Sequence, residues 1–317
     1  MAEKLSVAVP PHIKGKDQVS IAMRDVAIAL IPVIAVSLYF FRLNALVNFL
    51  AGAGTAIGCE YVMRRLMKRK PSIGDFSAIV TGLLLALVLP PTLPFWWVII
   101  GVVIAVALVK ELMGGLGVNL FNPALFGFVS LVILSQLFAP LNGYLNLAGI
   151  NGVTSATPLT FIKGGVLNGI RPGYWSLFLA HGGGALGEVS VLAVLIGAAY
   201  LIYRGHVRWR IPTAILGTVF VLSAILGKNP LYMILAGGLM LGAFFMATDW
   251  VTSPDNNIAQ LVYGVLIGVL VVVIRLYAAP TGAVAYSILI GNAFTPLLNR
   301  AFVSRKFGAM APVKVKE

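Results

Sequence analysis

The stretch RDVAIALIPVIAVSLYFF, residues 24–41, is almost entirely apolar after its first two residues. A helix needs about 20 such residues to cross the hydrocarbon core of a bilayer, so this stretch predicts a membrane-spanning helix. Similar runs recur to the end of the chain and predict about ten transmembrane helices. The ten runs are 24–41, 43–64, 76–93, 95–112, 120–138, 187–203, 211–227, 230–247, 258–274 and 280–299.

The composition supports the same fold class. Hydrophobic residues make up 59% of the 317 residues and charged residues only 10%, whereas a soluble domain carries about 25% charged residues. Strands in a membrane need a closed barrel and show a ten-residue pattern of alternation, which these runs lack. We therefore expect an all-α integral membrane protein, with residues 1–317 in a single membrane domain.

The positive charges predict the orientation of the chain. Of the 23 Lys and Arg residues, 18 fall on one side of the predicted membrane and 5 on the other. The positive-inside rule makes the richer side cytoplasmic. The N-terminal segment 1–23 and the basic tail 300–317 are then cytoplasmic, and the loop 139–186 is external. Because the charges flank apolar runs, the net charge of +13 indicates topology and not nucleic-acid binding.

The order of the runs divides into two halves of five spans. An odd number of spans gives the two halves opposite orientations, as in inverted repeats. The strings NLFNPALFG at 119–127 and GNAFTPLLN at 291–299 occupy comparable places in the halves. The interruption ELMGGLGVNLFNP at 111–123 is typical of broken helices, which survive in a bilayer only when they are buried or line a cavity. A cavity for a cofactor or an ion is therefore expected.

A hydroxyl-rich stretch, NGVTSATPLTF at 151–161, stands out in the predicted external loop. Small residues leave its hydroxyls uncrowded, and Pro158 prevents a helix from continuing through Thr157. No base adjoins Thr157 in the sequence, so catalysis by this hydroxyl is not expected. From the residues alone, a plain Ser/Thr turn and an exposed attachment site both stay open.

The same string resembles the flavinylation motif, in which a threonine oxygen carries the phosphate of FMN in an ester bond. The resemblance makes Thr157 the attachment site, with Thr154, Ser155 and Ala156 beside it. Asn151 stands where the motif has an acidic residue. A flavin transferase is the implied modifying enzyme.

Further stretches resemble the D subunit of the Rnf complex, which is related to the B subunit of the sodium-pumping NADH:quinone reductase. They are PPHIKGKDQVSIAMRDV at 10–26, GGLGVNLFNPALFG at 114–127, GALGEVSVLAVLIG at 184–197, WRIP at 209–212, FFMATDWVTSP at 244–254 and GNAFTPLLNR at 291–300. The resemblance therefore covers almost the whole chain. Trp250 departs from it, because the family has proline there.

This resemblance implies a membrane redox subunit of an ion-translocating ferredoxin:NAD⁺ oxidoreductase complex. Electron relay through covalent FMN is coupled in that family to Na⁺ or H⁺ transport across the bacterial or archaeal inner membrane. The implied partners are other membrane and soluble subunits and the lipid bilayer. NAD reduction belongs to another subunit, so we assign no catalytic residue to this chain. Whether a second, non-covalent flavin lies between the helices stays open.

Four acidic residues lie within or beside the predicted spans, where a charge costs at least about 2.5–3.5 kcal/mol and marks an ion path or a buried pair. For Glu60 we prefer a pair with Arg64, one turn later. For Glu111 we prefer a structural ion pair or cap, and Glu188 suits a helix N-terminus. Asp249 lies in a connection without Lys or Arg. Two roles stay open for it: capping a turn, or holding a flavin or a cation.

A second function class also fits the pattern. Ten spans, inverted repeats and broken helices are typical of a solute transporter or channel without a redox cofactor. A transporter has no need for the Ala-Thr hydroxyl of the external loop, and that feature distinguishes the two classes. We assign no metal site, because His12, His181 and His206 lack the spacing of metal ligands.

Overall fold

The computed structural model describes residues 19–69, 72–137, 173–180, 183–278 and 282–302. These residues form helices joined by turns, and they contain no β-strand. The helices are α1 (Val19–Leu66), α2 (Ser77–Val88), α3 (Phe95–Val103, continued by a π-helix at Ile104–Leu112), α4 (Pro123–Leu137), α5 (Tyr174–Leu179), α6 (Val191–Tyr203), α7 (Arg210–Ile225), α8 (Pro230–Leu235), α9 (Leu239–Leu241, continued by a π-helix at Gly242–Met246), α10 (Asn257–Tyr277) and α11 (Ala283–Ala301). Short 3₁₀ turns lie at Ile73–Asp75 and Leu186–Glu188.

The helices are those of a membrane protein. Three of them, Val19–Leu66, Phe95–Leu112 and Asn257–Tyr277, are long and apolar enough to cross a bilayer. Large apolar side chains face outward, among them Leu43 at 68% and Ile225 at 73% exposure. Such a surface suits contact with lipid chains, because water would not solvate it.

Helix α1 is two helical segments that meet at Arg42. Arg42 has φ 48° and ψ −120°, outside the helical region, and an L-residue rarely adopts a positive φ. The break lies between the predicted runs 24–41 and 43–64, and each segment is about long enough to span a bilayer. The first segment packs against α6 and the second against α2 and α3.

Small residues bring these helices close together. Gly52 of α1 and Gly82 of α2 face each other so closely that a Cβ on either would collide with the backbone of the other. Gly197 of α6 meets the carbonyl oxygen of Ala29 in the same way. Contacts of this kind hold helices together in a bilayer, where the hydrophobic effect contributes little to helix association.

The predicted spans differ most from the observed helices at three runs. The run 76–93 is helical only over Ser77–Val88. The run 230–247 is broken into α8 and α9 at 236–238, where Gly237 and Gly238 have φ of 71° and 66°. The run 187–203 becomes helical only at Val191, because Ser190 caps α6 by accepting a hydrogen bond from the Ala193 amide. The Gly-rich stretch 113–122 is a non-helical connection between α3 and α4.

The contacts define two ends of the bundle. We call one the cavity end, because Asp25, Lys110, His206 and Asp249 all lie there around or beside one cavity. We call the other the Arg275 end. There the Leu186 carbonyl accepts the Ser37 hydroxyl hydrogen, and the Leu186 amide donates to Leu89.

Candidate functional site

The flavinylation string lies outside the described residues. Thr154, Ser155, Ala156 and Thr157 fall within 138–172, which the structure does not describe. Of the predicted external loop 139–186, α5 and the turn beginning at Leu186 are described. The geometry therefore bears on the other candidates, most of which gather at the cavity end.

A cavity of about 820 Å³, counting its open mouth, lies at this end between α1, α2, α4, α6 and the connections that follow α3, α6 and α9. Ligand sites in proteins have mostly apolar walls with a few polar groups. Its walls are largely apolar, with Met23, Val26, Leu84, Phe244 and Phe245 among them. Its polar lining consists of Ser77, Thr81, Lys110, Asn119, Asn122, His206, Thr248 and Asp249.

The two asparagines of NLFNP have different roles. Asn122 begins α4: its Oδ1 accepts from the Ala124 amide at 3.0 Å, and its Nδ2 donates to the Met246 carbonyl at 3.2 Å. Asn119 is 5% exposed, and its Oδ1 has no hydrogen-bond partner among the described residues. A buried polar atom without a partner costs free energy. Asn119 is also part of the cavity wall.

Asp249 both caps a turn and lines the cavity. Its Oδ2 accepts from the Thr252 hydroxyl at 3.1 Å, and its backbone carbonyl accepts from the Ser253 amide at 3.0 Å. Burial raises the pKa of the Asp249 carboxyl, and the Thr252 hydrogen bond opposes that rise. The sequence left two roles open for Asp249, capping a turn and holding a flavin or a cation. Its position is compatible with both.

A buried charge cluster adjoins the cavity on the side of α2. Glu60 and Glu111 are fully buried, and Lys110 is 1% exposed. The predicted pair of Glu60 with Arg64 is confirmed at 3.5 Å. Glu111 has the ion pair we preferred for it, and its partner is Arg64 at 3.3 Å. Lys110 Nζ instead contacts Glu60 Oε1 at 3.0 Å.

Lys110 connects this cluster to the cavity. Its ammonium donates to the Ser77 hydroxyl at 2.6 Å, and both side chains belong to the cavity wall. The second carboxylate oxygens of Glu60 and Glu111 have no partner among the described residues. These two buried carboxylate oxygens can therefore still accept a proton or bind a cation.

A second charge cluster lies on another side of the cavity, and our sequence reasoning missed it. The Asp25 carboxylate is 2% exposed and accepts from Arg204 Nε at 2.8 Å. His206 Nε2 lies 2.8 Å from the same oxygen, and the Tyr200 hydroxyl donates to the other at 3.3 Å. Asp25 and His206 are 181 positions apart, so spacing could not join them. The one available signal is an acidic residue at the very start of an apolar run.

Glu188 lies far from the cavity, at the Arg275 end. We expected it at the N-terminus of the sixth span, but it ends the 3₁₀ turn that precedes α6. Its Oε2 accepts from the Ala185 amide at 3.4 Å. Gly184 and Gly238 pack so close to the carboxylate that neither has room for a Cβ.

Arg275 stabilises the break between α8 and α9 through hydrogen bonds. Its side chain is fully buried, and it donates to the carbonyls of Met233, Ala236 and Gly237. A helix end leaves its last carbonyls without intrahelical partners, and Arg275 supplies partners for those of α8. The sequence had shown Arg275 only as a charge on the external side.

The two strings that resemble each other meet inside the bundle. In the amide orientation that satisfies its neighbours, Asn292 of α11 accepts from the backbone amide of Asn122 at 3.0 Å and donates to the Tyr263 hydroxyl at 2.7 Å. Asn292 and Tyr263 are fully buried. The corresponding parts of the two predicted halves are therefore in direct contact.

Comparison with known proteins gives full-length matches. The model of the NQR2, RnfD, RnfE family matches residues 6–308. The D subunit of the Na(+)-translocating ferredoxin:NAD(+) oxidoreductase complex of Acetobacterium woodii is 40% identical, over 96% of this chain and 95% of that protein. Its proton-translocating counterpart from Clostridium ljungdahlii is 36% identical, over 96% of each chain. The D subunit of the ion-translocating oxidoreductase complex of Methanosarcina acetivorans is 34% identical, over 96% and 98%.

Proposed function

The chain belongs to the NQR2, RnfD, RnfE family, and on that premise we propose that it is a membrane redox subunit of an ion-translocating ferredoxin:NAD⁺ oxidoreductase complex. In this proposal, FMN is esterified to Thr157 and a second flavin binds without a covalent bond in the cavity. The relatives' names support the assembly, since all three are D subunits of ion-translocating oxidoreductase complexes. NAD reduction is left to other subunits.

The cavity carries the part of the proposal that rests on geometry. A flavin offers a flat apolar ring system with hydrogen-bonding atoms along one edge. The walls are largely apolar, and the unpartnered Asn119 Oδ1 and the Asp249 carboxylate supply polar groups. The residues present therefore fit such a group. Asn119 and Asp249 would bind its polar edge, and the apolar walls would exclude water.

The flavin and the protein have different roles in the chemistry. A bound flavin supplies reversible acceptance and release of one or two electrons. The chain supplies placement and charge: Lys110, which lines the cavity, brings a cation beside it. The second carboxylate oxygens of Glu60 and Glu111 lie behind Lys110 as seen from the cavity, and they can bind a proton or a cation.

The proposed topology agrees with the position of the basic residues. The cavity end carries Arg64, Arg69, Arg204 and Arg208, which the positive-inside rule assigns to the cytoplasm. In the proposed topology Thr157 faces outward, and ten spans form two inverted halves. The contact between Asn122 and Asn292 supports the relation between the halves, because comparable segments of inverted repeats meet at the repeat interface.

The attachment site is tested by changing Thr157 to Val in the native host. Removal of the hydroxyl leaves no oxygen for the phosphate ester, so covalent flavin should be lost completely while the protein still accumulates in the membrane. Mass spectrometry of the denatured protein measures the FMN-sized adduct. Thr154→Val is the matched control and should keep the adduct. An adduct on the Thr157→Val protein would prove the site wrong.

The cavity is tested with riboflavin, which lacks the phosphate and cannot form the ester. Asn119→Leu should weaken riboflavin binding about tenfold, the value of one buried hydrogen bond. Quenching of riboflavin fluorescence on titration with purified protein gives the Kd. Gln136→Leu, an exposed amide at the other end of α4, is the control. A wild-type protein without covalent or bound flavin would favour the transporter class.

A further inference from the structure

His206 lies between the cavity and the solvent on its own end of the bundle. A groove of about 800 Å³, counting its open mouth, lies next to the cavity and is lined by Arg208, Ser253, Asp255 and neighbouring residues. His206 lines the cavity and also the groove, as do Thr248 and Trp250. His206 is therefore part of the wall between the cavity and the groove.

The two nitrogens of His206 have different environments. Nε2 is held 2.8 Å from Asp25 Oδ2, and the side chain is only 11% exposed. Nδ1 has no hydrogen-bond partner among the described residues. Trp250 lies beside His206: its Nε1 donates to the backbone carbonyl of His206 at 2.6 Å, and the two ring centroids are 5.6 Å apart. The ring is thus oriented through Nε2, with Nδ1 left for exchange.

We propose that His206, oriented by Asp25, is the proton-exchange residue of the cavity, taking a proton from groove water onto Nδ1 when a flavin ring occupies the cavity. The inference rests on the proposed function. The step is an acid–base equilibrium: one proton moves from hydronium or a buffer acid in the groove solvent to Nδ1, water or the buffer base is left behind, and nothing is oxidised or reduced. The resulting N–H donates to a carbonyl oxygen or a ring nitrogen of the ligand, both of which are acceptors.

The surrounding charges are compatible with this transfer. An imidazole can both bind and release a proton, and the Asp25 carboxylate can accept the Nε2–H hydrogen bond in either state. The same Asp25 oxygen also accepts from Arg204 Nε at 2.8 Å, so the carboxylate has a cationic partner whether or not the imidazole carries a charge. The ionisable groups that face His206 or line the same cavity and groove are Asp25, Tyr200, Arg204, Arg208, Lys110, Asp249 and Asp255.

The experiment measures proton uptake when riboflavin binds to the purified full-length protein in detergent. Titration calorimetry in two buffers of different ionisation enthalpy, near pH 6.5, gives the protons bound per riboflavin. We expect net proton uptake, and a riboflavin Kd that rises several-fold with increasing pH. His206→Gln, which still reaches Asp25, should bind riboflavin with no uptake and a pH-independent Kd. His181→Gln and His12→Gln are controls that should keep both effects.

Asp25→Asn tests the positioning role. The amide still contacts Nε2 but removes the negative charge, so the pH at which the Kd changes should move to lower values without loss of folding. A role in packing alone would lower the melting temperature and leave that pH unchanged. Wild-type protein that binds riboflavin without proton uptake, or with release, overturns the proposal whatever the variants do. Wild-type protein that binds no riboflavin overturns the cavity assignment itself.

Discussion

Lys110 and Arg275 are both buried cations in an apolar bundle, yet their partners differ in kind. Lys110, at the cavity end, contacts the carboxylate of Glu60 and the hydroxyl of Ser77. Arg275, at the other end, donates to three backbone carbonyls around the break between α8 and α9. A charge in hydrocarbon needs partners in either case.

Arg275 therefore has a structural role, whereas the charge next to Lys110 can change. Carbonyl oxygens keep the same dipole at every pH, so Arg275 fixes the broken helix in one arrangement. A carboxylate can bind a proton or a cation, so the charge next to Lys110 can change while the backbone stays in place. The carboxylate bonded to Lys110 lies beside the cavity, and the carbonyls bonded to Arg275 lie at the break between α8 and α9.

The largest expected effect follows from Arg275→Met. Methionine fills much of the space but leaves three carbonyls without donors and Glu188 without a nearby cation. The free energy of unfolding should fall by about 5 kcal/mol, and little protein should accumulate in the membrane. Thermal unfolding of the purified protein in detergent measures the change. Arg65→Met, on an exposed arginine, should have almost no effect. A melting temperature equal to that control would show that the carbonyls do not depend on Arg275.

A smaller effect, and one that can be reversed, is expected for Lys110→Met. Glu60 then keeps Arg64 as its remaining cation at 3.5 Å, so the loss should be about 3 kcal/mol. Adding Glu60→Gln removes the uncompensated charge and should restore most of the stability, as seen when both partners of a buried pair are replaced. The Arg275 contacts allow no such rescue, because backbone carbonyls cannot be substituted. Equal melting temperatures for the single and the double variant would refute this distinction.

The same contrast explains what could be predicted from the sequence. Each apolar run contains helical residues because burial in lipid and the helical period are local properties of each run. The pair of Glu60 with Arg64 followed from a spacing of four residues. These are the features that one stretch of chain determines by itself.

The remaining contacts depend on the packing of distant segments. Lys110 and Glu60 are 50 positions apart, and Asp25 and His206 are 181 apart. The sequence did not reveal the break at 236–238, because Ala-Gly-Gly is apolar enough to extend a run. In the structure, Arg275 donates to the carbonyls of this break. Small apolar residues are compatible with a helix or with a break, and tertiary contacts decide between them.

The smallest effect, with the opposite sign, is expected for Asp249→Asn. No cation pairs with Asp249 among the described residues, and burial raises the pKa of its carboxyl above the ordinary value of 3.8. The ionised form is therefore less stable in the folded protein than in the unfolded chain, a cost present at neutral pH and lost as the pH falls through the folded pKa. Asparagine removes that cost, while its carbonyl can still accept from Thr252.

Asp249→Asn should thus raise the melting temperature at neutral pH by roughly 2 °C, a change of about 1 kcal/mol in a large domain. The gain should shrink as the pH falls toward 4. Riboflavin titration of the same variant separates the two roles of Asp249: a carboxylate that binds the ligand gives weaker binding in a more stable protein, whereas one that only caps the turn leaves the Kd unchanged. A variant less stable than wild type at neutral pH would show that Asp249, like Lys110, has a charged partner.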